Sequence, residues 1–239
     1  MTTFDYLRQS AYFFKQNFFQ IAAIQAPFLL ILNGIALWLD INAAPDTDLR
    51  QQAAYLSILS LTFLPIYWGG TILYMQSRLD DTPMSAKQAI YRSLFFWRSL
   101  LFTFILTSVA VFTGLLLIII PGIYIGVRLS FADYICVVER QTAIQSLKLS
   151  WDKTDNYFWV LLQGLLILFP ALQLIEMPIT RMFAHMENRS IFLELPIIVF
   201  IDLLGALITV YGFRIYCVMR NETEKASQTP SNPTDNTTE

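Results

Sequence analysis

The sequence predicts an all-α polytopic membrane protein, and three observations lead to that class. Hydrophobic residues fill 55% of the 239 positions and charged residues only 14%, whereas soluble globular proteins carry about 25% charged residues. The apolar residues gather into six runs, each near the length of about 20 residues that a helix needs to cross the bilayer core. Lysine and arginine lie mostly on one side of those runs, as in inner-membrane proteins generally.

The six transmembrane helices are predicted at about 19–39, 53–76, 98–119, 121–138, 157–177 and 193–215. The central run needs an argument, because 100–138 holds 39 residues with little charge. One helix of that length would measure about 58 Å, roughly twice the hydrocarbon thickness. Proline fits the first turn of a helix and glycine permits a tight connection, so we predict a hairpin that turns at Pro121 and Gly122.

The charges predict that both termini are cytoplasmic. With that orientation, 12 of the 16 lysines and arginines lie inside, Arg128 lies within the membrane, and only Arg50, Arg181 and Arg189 lie outside. Merging the central run into one span would reverse the later segments and remove this bias. The charge distribution therefore supports the hairpin independently of helix length.

Amphipathic helices are predicted on the cytoplasmic surface at 3–15, 84–96 and 142–152. Stretches around Ser10, Ser93 and Ser150 align without gaps, and each precedes a span that runs outward. The alignment suggests a single membrane domain, 1–220, built from three helix-hairpin repeats at 1–80, 84–140 and 141–220. Residues 221–239 contain almost no apolar side chains, so a disordered cytoplasmic tail is predicted there.

The block "IIIPGIYIGVRLSFADYICVVERQTAIQSLKLSW" carries a resemblance to a known family. It resembles the YciC family of bacterial inner-membrane proteins, which share a Pro-Gly-Ile hairpin, an acidic residue here at Glu139, and an amphipathic segment ending in Ser-Trp, here Trp151. A related pattern occurs in membrane domains attached to some glycerophosphodiester phosphodiesterases. The resemblance implies a multi-pass protein of the bacterial inner membrane, and it implies no particular biochemical activity.

Arg128 is the most informative candidate for a site. A charge in the middle of the membrane is costly unless it is paired or hydrated. Asp202 is predicted at a similar depth, so we expect the two to pair, whereas Asp133 faces elsewhere and is a poorer partner. The pair would either line a cavity for an anionic group such as a lipid phosphate, with Asp133 nearby, or hold two helices in register. Gly122 and Gly126 form a GxxxG pair, which is expected to pack within the chain.

The sequence favours a non-enzymatic role in envelope maintenance through the binding of lipid or a partner protein. It contains no grouping typical of catalysis, a phosphate loop or a metal site, and Cys136 and Cys217 are interpreted as small buried side chains. No cofactor is expected. The expected partners are the bilayer, an anionic phospholipid or another membrane protein, and a net charge of −2 argues against nucleic acid. Two alternatives stay open: a small transporter with a cavity around Arg128 and Asp202, and a membrane subunit of a lipid-handling enzyme.

Overall fold

The computed structural model describes residues 2–42, 48–186 and 189–228, and within them the chain forms α-helices and two 3₁₀ turns without a β-strand. The helices in those ranges are α1 (Thr3–Ile41), α2 (Leu49–Leu79), α3 (Ala86–Ser93), α4 (Trp97–Leu117), α5 (Ile119–Arg128), α6 (Ala132–Val138), α7 (Ala143–Lys153), α8 (Phe158–Ala184) and α9 (Ile191–Gln228). Six helical segments of this part are long and apolar enough to cross a membrane. The predicted fold class is confirmed.

The predicted hairpin is present between α4 and α5. The chain reverses at Ile118, whose extended backbone (φ −160°, ψ 150°) separates the helices, and Pro121 lies in the first turn of α5. A Cβ on Gly122 would lie 2.4 Å from Cγ of Leu115, so only glycine allows this approach. A Cβ on Gly126 would make an ordinary contact at 3.7 Å. The glycine face of α5 thus packs on α4 within the same chain, with Gly122 as the tight position.

The span predicted at 121–138 is not one helix. α5 ends at Arg128 and α6 begins at Ala132, and a turn lies between them. The prediction assumed a continuous helix, because nothing in the local sequence between these two residues forces a break. The residues that stabilise the break are distant in sequence, and they are described with the site below.

The separate surface helix predicted at 3–15 is also wrong, because α1 runs without interruption from Thr3 to Ile41. No proline or glycine separates 15 from 19. Asn17 bridges the junction instead, since its amide donates to the carbonyl of Phe13 (2.9 Å) and accepts from the hydroxyl of Tyr74 (2.7 Å). The other two predicted surface segments are separate short helices, α3 and α7, and each is followed by a 3₁₀ turn before a long helix.

The predicted disordered tail requires a correction at its start. α9 continues as a helix to Gln228, so the prediction is wrong for 221–228, and 229–239 lie outside the described residues. An Arg220–Glu224 pair at 2.9 Å, with the i, i+4 spacing that supports helices, lies in this extension.

The starts of α1, α3 and α7 agree with the serine alignment. Each helix begins seven residues before its aligned serine, and all three serines are at most 1% exposed. Each helix also follows a threonine or serine at the N-cap, namely Thr2, Ser85 and Thr142. These features support the threefold repeat, which stays a prediction.

Polar side chains along α1 connect it to α2 and α9. The pairs are Gln9 with Arg214 (3.0 Å), Asn17 with Tyr74 (2.7 Å), Gln25 with Thr71 (3.0 Å) and Asn33 with Asp202 (2.6 Å). α8 approaches α9 closely at Gly164, where the Tyr211 ring lies against the glycine and an added Cβ would be 2.0 Å from Cζ of the ring. α1 and α9 therefore form the centre against which α2 and α8 pack.

Candidate functional site

Arg128 does not meet Asp202. Arg128 is 8% exposed, and its guanidinium forms an ion pair with Asp155. It also lies over the rings of Trp151 and Tyr124, at 5.1 Å and 5.7 Å from their centroids. The predicted pair is therefore wrong, because Asp202 instead accepts a hydrogen bond from the amide of Asn33 at 2.6 Å.

The break between α5 and α6 explains why Arg128 meets Asp155 and not Asp202. The helix α7 packs against this break. The buried hydroxyl of Ser150 accepts from the N–H of Phe131 (3.1 Å) and donates to the carbonyl of Arg128 (2.8 Å). The hydroxyl of Thr154 is 3.1 Å from the same carbonyl. Backbone groups left unpaired by a helix break require such partners when they are buried. The docking places Trp151 and Asp155 beside Arg128, so the serine and tryptophan of the motif act together.

Asp133 has a third environment. It lies on α6 and is partly buried, and the Trp68 indole on α2 is close enough to interact with it, although the buried indole N–H forms no well-aligned hydrogen bond. Arg128, Asp133 and Asp202 thus have separate partners within the described chain. The cavity proposed from the sequence around Arg128 and Asp202 is not supported by these contacts.

An ion-paired cluster joins the end of α1 to the start of α9. Arg189 donates to the buried Glu194 (2.8 Å and 3.2 Å) and to Asp40. Hydrogen bonds to Glu194, and then to Asp40, raise the pKa of Arg189. Within 2–42, 48–186 and 189–228, no group of three His, Cys, Asp or Glu side chains is placed to hold a metal ion. Through these contacts Arg189 connects the end of α1 to the start of α9.

A cleft of about 360 Å³ lies between α1, α2 and α9. Its walls are almost entirely apolar and consist of Phe13, Met75, Leu79, Val210, Phe213 and Cys217. The polar side chains that border it are Gln9, Ser10, Tyr12, Gln16 and Arg214. An apolar groove with a few polar groups at its edge is the usual form of a small-molecule site.

Arg214 gives this cleft its charge. Its Nε donates to Oε1 of Gln9 at 3.0 Å, and none of the carboxylates in the described ranges forms an ion pair with it. Gln9 and Tyr12 also line an adjoining cavity of about 590 Å³, which is bordered by Asp5 and Arg8. The apolar cleft therefore opens beside two arginines, Arg8 and Arg214, and neither forms an ion pair with a carboxylate in the part of the chain that the structure describes.

The sequence predicted that Arg8 and Arg214 both lie on the cytoplasmic side, but it did not predict that they lie beside the same cleft. Arg214 lies at the end of the apolar run 193–215, where an inside arginine is expected anyway. Gln9, a polar residue at the start of α1, is the other sequence feature of this site. Its role as the partner of Arg214 follows only from the packing of α1 against α9. The α1–α2–α9 cleft is therefore a product of tertiary structure.

Fold and surface together define a multi-pass α-helical membrane protein with an apolar, arginine-edged cleft. Residues 46–218 match the uncharacterised protein family UPF0259, and the chain belongs to that family. The match confirms the family resemblance drawn from the central sequence block.

Two curated relatives carry the name UPF0259 membrane protein. The one from Photorhabdus laumondii is 26% identical over 159 residues, which cover 66% of this chain and 60% of the relative. The one from Pectobacterium carotovorum is 24% identical over 184 residues, covering 73% of this chain and 69% of the relative. The chain thus spans about three fifths of the first relative's length. No solved structure matches the chain.

Proposed function

We propose that this protein is a non-enzymatic, multi-pass protein of the bacterial inner membrane that supports the envelope by binding an anionic lipid. Both termini are cytoplasmic in this proposal, which rests on the bias of lysine and arginine toward that side. The observation that carries the lipid assignment is the α1–α2–α9 cleft, in which apolar walls adjoin an arginine that has no carboxylate partner in the described ranges.

The two parts of the cleft fit the two parts of a lipid. Phe13, Val210 and Phe213 offer an apolar surface against which an acyl chain can pack by van der Waals contact. Arg214 offers a guanidinium to a phosphate or carboxylate, with which it can form two parallel hydrogen bonds. The hydrogen bond that Nε of Arg214 donates to Gln9 orients the guanidinium and leaves its terminal nitrogens available.

Lipid that co-purifies with the full chain tests the proposal, with native mass spectrometry as the measurement. Arg214→Gln removes the charge, and Val210→Phe fills the cleft without changing the charge. Arg78→Gln is the matched control, because Arg78 is exposed on α2 and borders neither the cleft nor the adjoining cavity. Loss of a charged hydrogen-bonding partner, worth about 1.5–3 kcal/mol, corresponds to roughly ten- to hundredfold weaker lipid retention for Arg214→Gln.

Equal retention in Arg214→Gln, Val210→Phe and the Arg78→Gln control would contradict lipid binding in the cleft. A soluble protein that co-purifies in stoichiometric amount would instead favour a membrane subunit of a lipid-handling enzyme. Coupled flux of an ion in proteoliposomes would favour the transporter alternative.

A further inference from the structure

A second cavity, separate from the α1–α2–α9 cleft, carries a concentration of positive charge. Its volume is about 630 Å³, and Arg92, Arg140 and Arg220 all line it. The three arginines come from different elements, since Arg92 belongs to α3, Arg140 to the connection between α6 and α7, and Arg220 to α9. Asp80 is the single acidic side chain among the lining residues. The fold therefore assembles a net positive site from segments that are far apart in sequence.

These guanidinium groups are largely free to bind a ligand. Arg92 and Arg140 are exposed, and neither forms an ion pair with any carboxylate of the described ranges. Arg220 has one such contact, from Nε to Glu224 at 2.9 Å, and its side chain is 41% exposed. Asp80 is engaged by the amide of Gln76, at 2.9 Å from both carboxylate oxygens. Asp80 thus bonds to an amide, and in the described ranges Arg92 and Arg140 have no carboxylate partner, whereas Arg220 is paired with Glu224.

The ends of two helices form part of the cavity edge. In the described ranges the non-glycine residues with positive φ are Asp81 (50°) and Arg140 (53°). Arg140 lines the cavity, and Asp81 lies between two lining residues, Asp80 and Thr82. Each of the two follows the C-cap residue of a helix, Asp80 of α2 and Glu139 of α6, where a single left-handed residue commonly ends a helix. These helix endings place Asp80 and Arg140 at the edge of the cavity.

We propose that this arginine cavity binds the phosphate group of a phosphate ester. Arginine's planar guanidinium matches the oxygens of a phosphate bidentately, and three of them can surround one group from different directions. Phe95 and Phe96 line the same cavity and provide an apolar wall for the organic part of the ester. The phosphate belongs either to an anionic lipid headgroup or to a soluble ester. This site uses none of the residues that line the cleft and does not depend on the proposed function.

The test uses the full chain in phosphatidylcholine nanodiscs and measures the binding of two soluble probes, inorganic phosphate and phenyl phosphate. A parallel series measures retention of phosphatidylglycerol mixed into the discs. Arg140→Gln and Arg220→Gln should each weaken binding at least tenfold. Arg140→Lys should retain part of the binding, because lysine keeps the positive charge but lacks the planar guanidinium. Arg78→Gln should bind like the natural chain, because its arginine lines neither cavity.

Saturable binding of a soluble probe in phosphatidylcholine discs would assign the site to a soluble ester. Arginine-dependent retention of phosphatidylglycerol alone would assign it to a lipid headgroup. Binding of none of the three, or an equal loss in Arg78→Gln and the cavity variants, would overturn the proposal. Circular dichroism and the melting temperature separate lost binding from lost folding. Arg214→Gln, which alters the cleft, should leave binding in the arginine cavity unchanged, so the two proposals fail independently.

Discussion

Ser150→Ala should destabilise the protein, because one hydroxyl serves two buried backbone groups where α5 breaks into α6. The hydroxyl accepts from the N–H of Phe131 at 3.1 Å and donates to the carbonyl of Arg128 at 2.8 Å. Alanine leaves the Phe131 N–H buried without its acceptor, at a cost of about 1–3 kcal/mol. The Arg128 carbonyl keeps the hydroxyl of Thr154 at 3.1 Å, which it shares with the carbonyl of Ser150 at 2.6 Å, so the loss at this carbonyl is smaller than at the N–H. We expect a total of about 1–3 kcal/mol in the free energy of unfolding.

The aligned serine of the preceding unit provides the matched control. Ser93 is equally buried, but its hydroxyl donates only to the carbonyl of Ile90 in its own helix, at 2.7 Å. Ser93→Ala leaves no buried donor unpaired and gains about 0.5 kcal/mol of helix propensity, so its net effect should be under about 1 kcal/mol. Reversible unfolding of both variants by SDS in mixed micelles measures the difference. Equal stabilities would refute the docking of α7 through Ser150.

The remaining predictions concern glycine contacts and topology. Gly122→Ala should destabilise the α4–α5 hairpin by about 1–3 kcal/mol through overpacking, while Gly126→Ala should change the unfolding free energy little. Gly164→Ala should likewise lower the melting temperature, since its Cβ would enter a buried tyrosine ring, whereas Gly205→Ala meets nothing within 4 Å and serves as its control. Equal effects within either pair would contradict the packing described. A reporter inserted after Pro121 should read periplasmic and one at the C-terminus cytoplasmic, and a cytoplasmic signal at Pro121 would exclude six spans.

Hydropathy and charge were sufficient to predict the membrane class and the approximate spans, because bilayer thickness constrains helix length directly. The hairpin was predictable for a similar reason, since a run of 39 residues with little charge is too long to cross the membrane once. The capping box at Ser85 also has a local sequence signal. A serine or threonine at the N-cap is followed three residues later by Asp or Gln.

The partner of Arg128 was not predictable from local pattern. Its environment depends on the break after α5, and that break is satisfied by Ser150 and Thr154, more than 20 residues away. Estimating depth along an unbroken helix therefore led to Asp202 instead of Asp155. The α1–α2–α9 cleft and the arginine cavity were not predicted for the same reason. Each combines side chains from at least three elements that meet only in the folded chain.

The most direct test of lipid binding is an experimental structure of the full chain in nanodiscs of native bacterial lipid. The account predicts an elongated density in the α1–α2–α9 cleft, lying against Phe13 and Phe213, with its polar end at hydrogen-bond distance, about 3 Å, from the terminal nitrogens of Arg214. A cleft closed by its own side chains, or Arg214 paired with a carboxylate of this chain, would contradict it.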